Sequence, residues 1–464
     1  MFKKEVYIDR RNLLKKEIGS GVALFLGNVE AVFNYPANQY HFRQDSHFLY
    51  FFGIDLPGFA AVIDFDSGKK YIFGNDFDID DIIWMGPQPK VAELAAEAGI
   101  TETGTLDDLG AFIGNVLKDD RKVHYLPPYR GETDIQIADL LHGNIADVRK
   151  QASPELIKAV VKLKEVKDTY EIAEIEKAVD IAYKMHTTSM KMAKPGVMEQ
   201  EIAGTIEGIS LALGGPISFP IILSMNVQTL HNHYHGNALE KGRMMVTDAG
   251  AETQMHYASD ITRTVPVGGK FNQRQADIYQ IVLDANMNAI EAIRPGIKYR
   301  DIHFLAAKTI VDGLKEIGLM KGDTGAAVEA GAHTLFMPHG LGHMMGMDVH
   351  DMEGLGEDYV GYDEHTKRSK EFGTAYLRLA KELKPGFVLT VEPGIYFIPE
   401  LIDQFRAEGQ FAEFINYEIV ETYKDFGGVR IEDDVLVTET GYRVLGKPIP
   451  KTIEEVEKTM AEPL

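Results

Sequence analysis

The sequence contains no cysteine among its 464 residues. Disulfides, thiolate-bound zinc, iron–sulfur clusters and cysteine nucleophiles are therefore excluded. Any metal ion must be held by oxygen and imidazole ligands, and the 70 acidic residues and 15 histidines supply many of both.

Basic residues are also scarce, because 48 lysines and arginines face 70 acids and leave a formal charge of −22. A charge of this sign argues against a protein that binds nucleic acid or anionic membranes. Long apolar runs are missing too: the most apolar windows, such as 48–54, are well short of the ~20 residues of a spanning helix. No apolar segment marks a signal peptide after Met1–Leu14. We therefore expect a soluble, cytoplasmic protein.

The chain is long enough for two domains. Its first part mixes strand patterns with helix patterns, which predicts an α/β domain over residues 1–155. The predicted strands are 22–26, 47–52, 60–65, 71–73 and 123–126, and the predicted helices are 106–117 and 133–141. A polar stretch that contains Pro154 marks the expected boundary, so the second domain should occupy 156–464.

The second domain contains an internal repeat. An apolar stripe from Ile172 to Met185 predicts a helix that ends before Pro195, and a second helix begins near Glu199. The same order of helix, Pro-Gly stop and helix recurs about one hundred residues later, around Pro295. Strand-rich segments follow each copy, at 243–267, 387–397 and 428–437. We interpret the pattern as two duplicated α+β halves whose sheets pack together.

Acidic residues and histidines are concentrated inside these apolar strand segments. Asp248 and Glu392 each follow an apolar run and precede a turn residue, which places them near strand ends. One such acid usually faces water, but several buried acids gathered in one place need a cation. Two divalent ions bridged by carboxylates would meet that need. Oxygen ligands with one imidazole suit Mn²⁺, with Fe²⁺, Co²⁺ or Zn²⁺ as substitutes.

The chain resembles the metal-dependent proline peptidases, prolidase and aminopeptidase P, of the creatinase/aminopeptidase family. Five segments carry the metal-site signature of that family: Asp248–Gly250, Asp260–Thr264, His339–His343, Glu392–Gly394 and Arg430–Glu432. Phe42–Ser46 and Trp84–Gly86 are similar to its N-terminal domain. The resemblance implies an α+β protein with a pita-bread catalytic domain of duplicated halves, preceded by an α/β aminopeptidase P-type domain.

The resemblance also implies a ligand set for two divalent metal ions per subunit. The five ligands would be Asp248, Asp260, His343, Glu392 and Glu432. Asp260 and Glu432 would bridge both ions, Asp248 would complete one site, and His343 and Glu392 would complete the other.

Three residues, one of them also a ligand, take catalytic roles by the same resemblance. Glu392 would accept a proton during the attack of water on the scissile carbonyl before proline. His339 and His350 would stabilise the oxyanion or the leaving nitrogen. Arg430 is expected in the substrate-binding region, where it would orient the acids around the metal ions.

The upstream substrate histidine has two candidates. His231 fits the distance to Asp248 and is preferred, whereas His233 fits a His-Tyr-x-x-Asn pattern. Together with His235 they would share one face of a strand, so a separate metal site is an alternative to a polar loop. Asp260 follows Asp248 by twelve positions, one more than the family pattern, and we place the extra residue in a hairpin loop near 253–255.

The interval from Glu392 to Glu432 holds a charged insertion that is similar to that of prolidases. Arg378 lies in a stretch that resembles the segment whose arginine binds a dipeptide's carboxylate; a surface arginine on a helix is the alternative. The sequence therefore predicts an Xaa-Pro dipeptidase, with an Xaa-Pro aminopeptidase acting on longer peptides as the alternative. A non-catalytic pita-bread binding module or a metal-free creatinase is disfavoured because all five ligand positions are filled.

Two remaining features concern the surface. The resemblance implies a homodimer, and the single tryptophan, Trp84, either packs in the core of the first domain or reaches a neighbouring subunit's active site. The polar run Glu353–Lys370 is predicted to be a surface insertion without function.

Overall fold

The computed structural model describes residues 1–464, which divide into two compact units. The first unit contains residues 1–164 and 354–359, and the second contains 165–353 and 360–464. The division falls after the expected 155/156 boundary because Pro154 does not end the first unit. It begins the helix Pro154–Lys164, where the missing N–H of proline is tolerated. None of the helices combines the length and the apolar composition that a membrane-spanning segment requires.

A five-stranded mixed sheet forms the centre of the first unit. Its strands run in the spatial order Glu102–Gly104, Lys70–Phe73, Ala60–Asp64, Val22–Leu26 and Val123–His124. The inner three are antiparallel and the outer two pair in parallel. The helices are Lys4–Glu17, Ser46–Phe52, Ile79–Met85, Val91–Glu97, Leu106–Lys118, Gly131–Leu140 and Pro154–Lys164. A separate hairpin pairs Val32–Tyr35 with Asn38–Gln39.

The aromatic run 47–52, predicted as a strand, is a helix, Ser46–Phe52. Its ends explain the error. The Asp45 side chain accepts a hydrogen bond from the Phe48 N–H at 2.8 Å, and Gly53 ends the helix in the left-handed conformation with φ 69°. These capping signals outweigh the β-propensity of the aromatic side chains between them.

Trp84 does not belong to the core of the first unit. It lies on the helix Ile79–Met85, which buries none of its residues, and its exposed fraction is 84%. The interpretation of Trp84 as a core residue is therefore wrong.

The second unit consists of two similar halves, as the internal sequence repeat predicts. In the first half, the helices Thr169–Met192 and Glu199–Leu213 pack together beside an antiparallel sheet. That sheet contains Ile261–Pro266, Met244–Ala249 and Ile222–Ser224 in this order. In the second half, the paired helices are Gln273–Ala292 and Tyr299–Glu316. The second sheet contains Val388–Val391, Asp433–Val437 and Tyr442–Val444.

Shorter elements complete the second unit. A two-stranded ladder pairs Gly394–Tyr396 with Gly428–Arg430, and a β-bridge between Thr262 and Glu432 joins the two halves. The remaining helices are Thr324–Glu329, Pro399–Ala407, Tyr417–Val420 and Ile453–Ala461, whereas the short helix Glu357–Val360 belongs largely to the first unit. The α+β architecture predicted for this part of the chain is confirmed.

Two histidines of the second half are buried without hydrogen-bond partners. His303 lies on Tyr299–Glu316, His333 lies in a short 3₁₀ turn, and neither ring nitrogen of either residue has a partner. Burial, with repulsion from His333 and His339, lowers the pKa of His303 to about 3. Burial lowers the pKa of His333 to about 4.

These shifts predict a loss of stability in mild acid. Below the ordinary value of 6.5 the unfolded chain binds protons that the buried imidazoles do not. Each histidine should therefore cost about 2 kcal/mol of unfolding free energy between pH 7 and pH 5. We expect His303→Met to reduce the pH dependence by that amount in urea unfolding. His365→Met, at a side chain that is 77% exposed, should leave the pH dependence unchanged; equal slopes in both variants would contradict the prediction.

Candidate active site

Each of the five predicted ligands lies at or near the end of a strand. Asp248 is in Met244–Ala249, and Asp260 directly precedes Ile261–Pro266. Glu392 directly follows Val388–Val391, and Glu432 forms the bridge to Thr262. His343 is held alongside the same strand as Glu392, because the Thr390 N–H donates to its carbonyl oxygen at 3.0 Å.

The chain can approach itself this closely because two positions carry no side chain. A Cβ on Gly250 would lie 1.7 Å from the Ser259 carbonyl oxygen, and one on Gly342 would lie 2.1 Å from that of Thr390. Both glycines are therefore required by close backbone packing beside the acids. The turn between Asp248 and Asp260 closes at 253–257, where Glu252 pairs with Ala258.

The five side chains converge in one place. Ligand atoms that lie within 4.8 Å of one another form three groups: Asp248, Asp260 and Glu432; His343, Glu392 and Glu432; and Asp260, His343 and His350. Asp260, His343 and Glu432 each belong to two groups. The cluster lines a cavity of about 210 Å³, whose other lining residues are Phe219, Pro220, Ile222, His231, His233, Val349 and Arg378.

The carboxylates are crowded and mostly buried, which disfavours their charged forms. Burial, then repulsion from Glu432 and Asp248, raises the pKa of Asp260 well above its ordinary range. Burial raises the pKa of Glu392 to about 7, against an opposing effect of Arg430. Burial and the neighbouring carboxylates likewise raise the pKa of Glu432. The protein alone therefore does not supply enough positive charge for these acids.

The donor set fits divalent metal ions. Asp248 Oδ1 and Asp260 Oδ1 are buried without a hydrogen-bond partner. His343 Nδ1 lies 3.0 Å from the Met344 carbonyl oxygen, so this nitrogen carries the proton and Nε2 presents its lone pair. That Nε2 lies 3.3 Å from Asp260 Oδ2 and 3.9 Å from Glu392 Oε1. Burial lowers the pKa of His343, which keeps the imidazole in the neutral form that binds metals.

Arg430 is the cation that the fold itself provides. Its Nη2 lies 2.5 Å from Asp248 Oδ2, and its Nη1 donates to Tyr396 Oη at 2.9 Å. Its Nε donates to Thr262 Oγ1 at 3.2 Å, and Thr262 in turn donates to Glu432 Oε2 at 2.7 Å. One guanidinium therefore contacts acids from both halves, directly or through Thr262, and its role in orienting them around metal ions stays a prediction. Thr262 and Tyr396 also belong to this network, and no sequence pattern predicted their part in it.

The two predicted catalytic histidines occupy different positions. The His350 ring lies 4.0 Å from the His343 ring and lines the cavity. His339 does not line it: its Nε2 lies 3.1 Å from Tyr396 Oη and its Nδ1 lies 2.8 Å from the Gly340 carbonyl oxygen. His339 thus contacts the acids only through Tyr396 and Arg430.

The histidines of the 231–235 segment do not form a metal site of their own. His231 and His233 line the cavity. His235 Nδ1 lies 2.9 Å from the Leu223 carbonyl oxygen, and His233 Nδ1 lies 3.3 Å from that of Ile221. One nitrogen of each of these two rings is therefore engaged by a backbone carbonyl oxygen of the neighbouring strand segment.

Glu353 is a site residue that sequence reasoning missed. Its Oε2 lies 2.6 Å from His350 Nδ1 and 3.1 Å from Arg378 Nε. Partial burial raises the pKa of this carboxyl, but His350 and Arg378 together hold it below its ordinary value. Polar composition is the basis of the prediction that the run from Glu353 is without function, and the contact of Glu353 with Arg378, 25 positions along the chain, has no signal in the sequence.

Comparison with known proteins places this geometry in a family. Residues 173–439 match Metallopeptidase family M24, and residues 7–125 match Aminopeptidase P, N-terminal domain. The human Xaa-Pro dipeptidase is 33% identical over 90% of this chain and 84% of its own. A probable Xaa-Pro aminopeptidase of Fusarium vanettenii is 32% identical over 90% and 87%.

Solved structures agree over the whole length. Escherichia coli aminopeptidase P with the inhibitor Pro-Leu has a TM-score of 0.80 at 28% identity and covers 99% of this chain and 98% of its own. Pseudomonas aeruginosa aminopeptidase PepP has a TM-score of 0.81 at 26% identity, with the same coverage.

The fold and the carboxylate cluster define a metallopeptidase, and the chain belongs to family M24. Within that family it is one of the pita-bread proline peptidases, which include the Xaa-Pro dipeptidases and Xaa-Pro aminopeptidases. The predicted family and fold are therefore confirmed, and the chain is an enzyme that depends on divalent metal ions.

Proposed function

We propose that the chain hydrolyses the Xaa-Pro bond of dipeptides. The observation that carries this proposal is Arg378, which lines the same cavity as the carboxylate cluster. A guanidinium at that place would pair with the carboxylate that a dipeptide presents directly after its scissile bond. The name of the human relative, Xaa-Pro dipeptidase, supports the proposal.

A second candidate is an Xaa-Pro aminopeptidase that releases the first residue of longer peptides. The solved structures that align with nearly all of the chain are aminopeptidases P. The ion pair between Arg378 and Glu353 also favours this candidate, because it reduces the positive charge available to a dipeptide carboxylate.

We propose Asp248, Asp260, His343, Glu392 and Glu432 as ligands of two divalent ions, with Mn²⁺ favoured over Co²⁺, Fe²⁺ and Zn²⁺. Asp260 and Glu432 would be the bridging ligands, because each belongs to two groups of converging ligand atoms and offers two carboxylate oxygens. His343 also belongs to two groups but offers only one ring nitrogen, since its Nδ1 contacts the Met344 carbonyl oxygen. When bound, the ions would polarise the scissile carbonyl and activate water.

The remaining roles follow from position. Glu392 accepts the proton of the attacking water, since its carboxyl reaches the cavity while being largely buried. His350 and His231, which line the cavity, donate hydrogen bonds to the substrate. Arg430 holds Asp248 in place, and His339 supports Arg430 through Tyr396.

The choice between the two activities is tested by comparing Ala-Pro with Ala-Pro-Ala in the presence of Mn²⁺. A dipeptidase should show a kcat/KM at least roughly tenfold higher for Ala-Pro, because only there does the carboxylate lie within reach of Arg378. A preference for Ala-Pro-Ala would establish the aminopeptidase instead. No hydrolysis of either peptide would contradict both candidates.

The ligand assignment is tested by Asp260→Asn. Loss of a bridging charge should abolish activity, by about a thousandfold or more, and lower the metal content from two ions per subunit. Metal content is measured by atomic emission on the purified protein. Asp284→Asn, at an exposed helical aspartate, is the control and should retain both activity and metal. Normal turnover in Asp260→Asn would show that the assignment is wrong.

We also propose that the protein is a homodimer that uses the exposed apolar helix Ile79–Met85. Trp84, Ile83 and Ile79 are 84%, 68% and 69% exposed, an arrangement typical of a covered surface. Trp84→Asp should give a monomer in sedimentation velocity, whereas Ile145→Asp, elsewhere on the first unit, should not. A wild-type monomer, or a dimer unaffected by Trp84→Asp, would contradict the proposal. The cytoplasmic location stays a prediction.

A further inference from the structure

The carboxylate of Glu353 lies against two residues that line the substrate cavity. One oxygen, Oε2, serves both contacts, at 2.6 Å from His350 Nδ1 and 3.1 Å from Arg378 Nε. The three side chains are each about one-third exposed, at 31%, 37% and 33% for His350, Glu353 and Arg378. A carboxylate that enters the cavity therefore meets an Arg378 side chain that is already paired with Glu353.

The turn that presents Glu353 is fixed from behind. Asp351 forms a buried ion pair with Lys167 at 2.7 Å, and its N–H donates to the Met344 carbonyl oxygen at 2.9 Å. Met352 is buried and adopts a positive φ of 65°, which is costly for a methionine. The surrounding structure thus maintains a strained residue whose effect is to turn Glu353 back over His350.

The segment that carries Arg378 is equally well held. Tyr362 Oη donates to the Leu377 carbonyl oxygen at 2.7 Å, and the Ala380 N–H donates to that of Gly361 at 2.9 Å. A Cβ on Gly361 would lie 1.8 Å from the Arg378 carbonyl oxygen, so the two segments are in direct contact. Because both backbones are fixed, the pairing of Glu353 with Arg378 is built into the fold.

We propose that Glu353 is a specificity-determining residue that competes with a dipeptide's carboxylate for Arg378. The carboxylate of a dipeptide must share Arg378 with Glu353 or displace Glu353 from it, and the dipeptide therefore binds more weakly. A substrate whose proline has no free carboxylate does not compete with Glu353, so its binding does not depend on that contact. Glu353 therefore shifts the enzyme away from dipeptides and toward longer or neutral substrates. This inference rests on the proposed hydrolysis of Xaa-Pro bonds.

The test compares Ala-Pro with Ala-Pro-amide, which have the same length and differ only in the terminal charge. Glu353→Gln should raise the ratio of kcat/KM for Ala-Pro over Ala-Pro-amide by roughly two- to fivefold, the scale of a partly exposed ion pair. The change should appear in KM for Ala-Pro. An indirect effect of the substitution on His350 would change kcat/KM for both substrates by the same factor, so it would cancel in the ratio.

Matched variants separate this effect from others. In an Arg378→Gln background, Glu353→Gln should no longer change the ratio, because the competing group is gone. Glu353→Asp should restore much of the wild-type ratio, and Glu364→Gln, at a side chain that is 84% exposed, should leave it unaltered. An unchanged ratio in Glu353→Gln with an active wild type would overturn this inference alone. Inactivity of the wild type on all Xaa-Pro substrates would instead overturn the proposed function.

Discussion

Mutual repulsion among buried carboxylates is the constraint on which the rest of the second unit depends. Asp248, Asp260 and Glu432 present ligand atoms within 4.8 Å of one another, and Arg430 pairs directly with Asp248 alone. The free energy of the protein would be lower if these acids were farther apart, so the fold must hold them together against their repulsion. Divalent ions bound at these acids would offset this repulsion, since they would provide the missing charge and a partner for the unpaired oxygens.

The duplicated architecture supplies that restraint through a second arginine. Arg263 is buried, and its Nη1 donates to the carbonyl oxygens of Glu432 at 2.6 Å and Thr262 at 2.9 Å. Its Nη2 pairs with Asp433 Oδ1 at 2.7 Å. Asp434 Oδ2 in turn accepts from the Asp260 N–H at 3.0 Å. The acids of one half are therefore tied to the backbone of the other, which makes the site a product of the interface between the halves.

Much of this could be predicted from sequence, because the signals were local or repeated. The helix periodicity from Ile172 and the ordered metal-site segments required no knowledge of distant contacts. The strand prediction for 47–52 is wrong because the capping residues Asp45 and Gly53 favour a helix more strongly than the aromatic run between them favours a strand. The ligand roles stay predictions, although the structure brings the five side chains together.

Glu353 shows what sequence alone could not provide. Its importance depends on the left-handed turn at Met352 and on the approach of Arg378, which follows it at a distance of 25 positions. Neither is visible in composition, so the residue was grouped with a polar surface run. In the proposed specificity, the same contact influences the substrate length, which family membership does not decide. The arginine proposed to favour a dipeptide and the carboxylate proposed to oppose one lie side by side, and ion pairs as exposed as this one contribute a few tenths to about 1 kcal/mol. Relatives that differ at such a pair can share the metal site and still prefer different substrates.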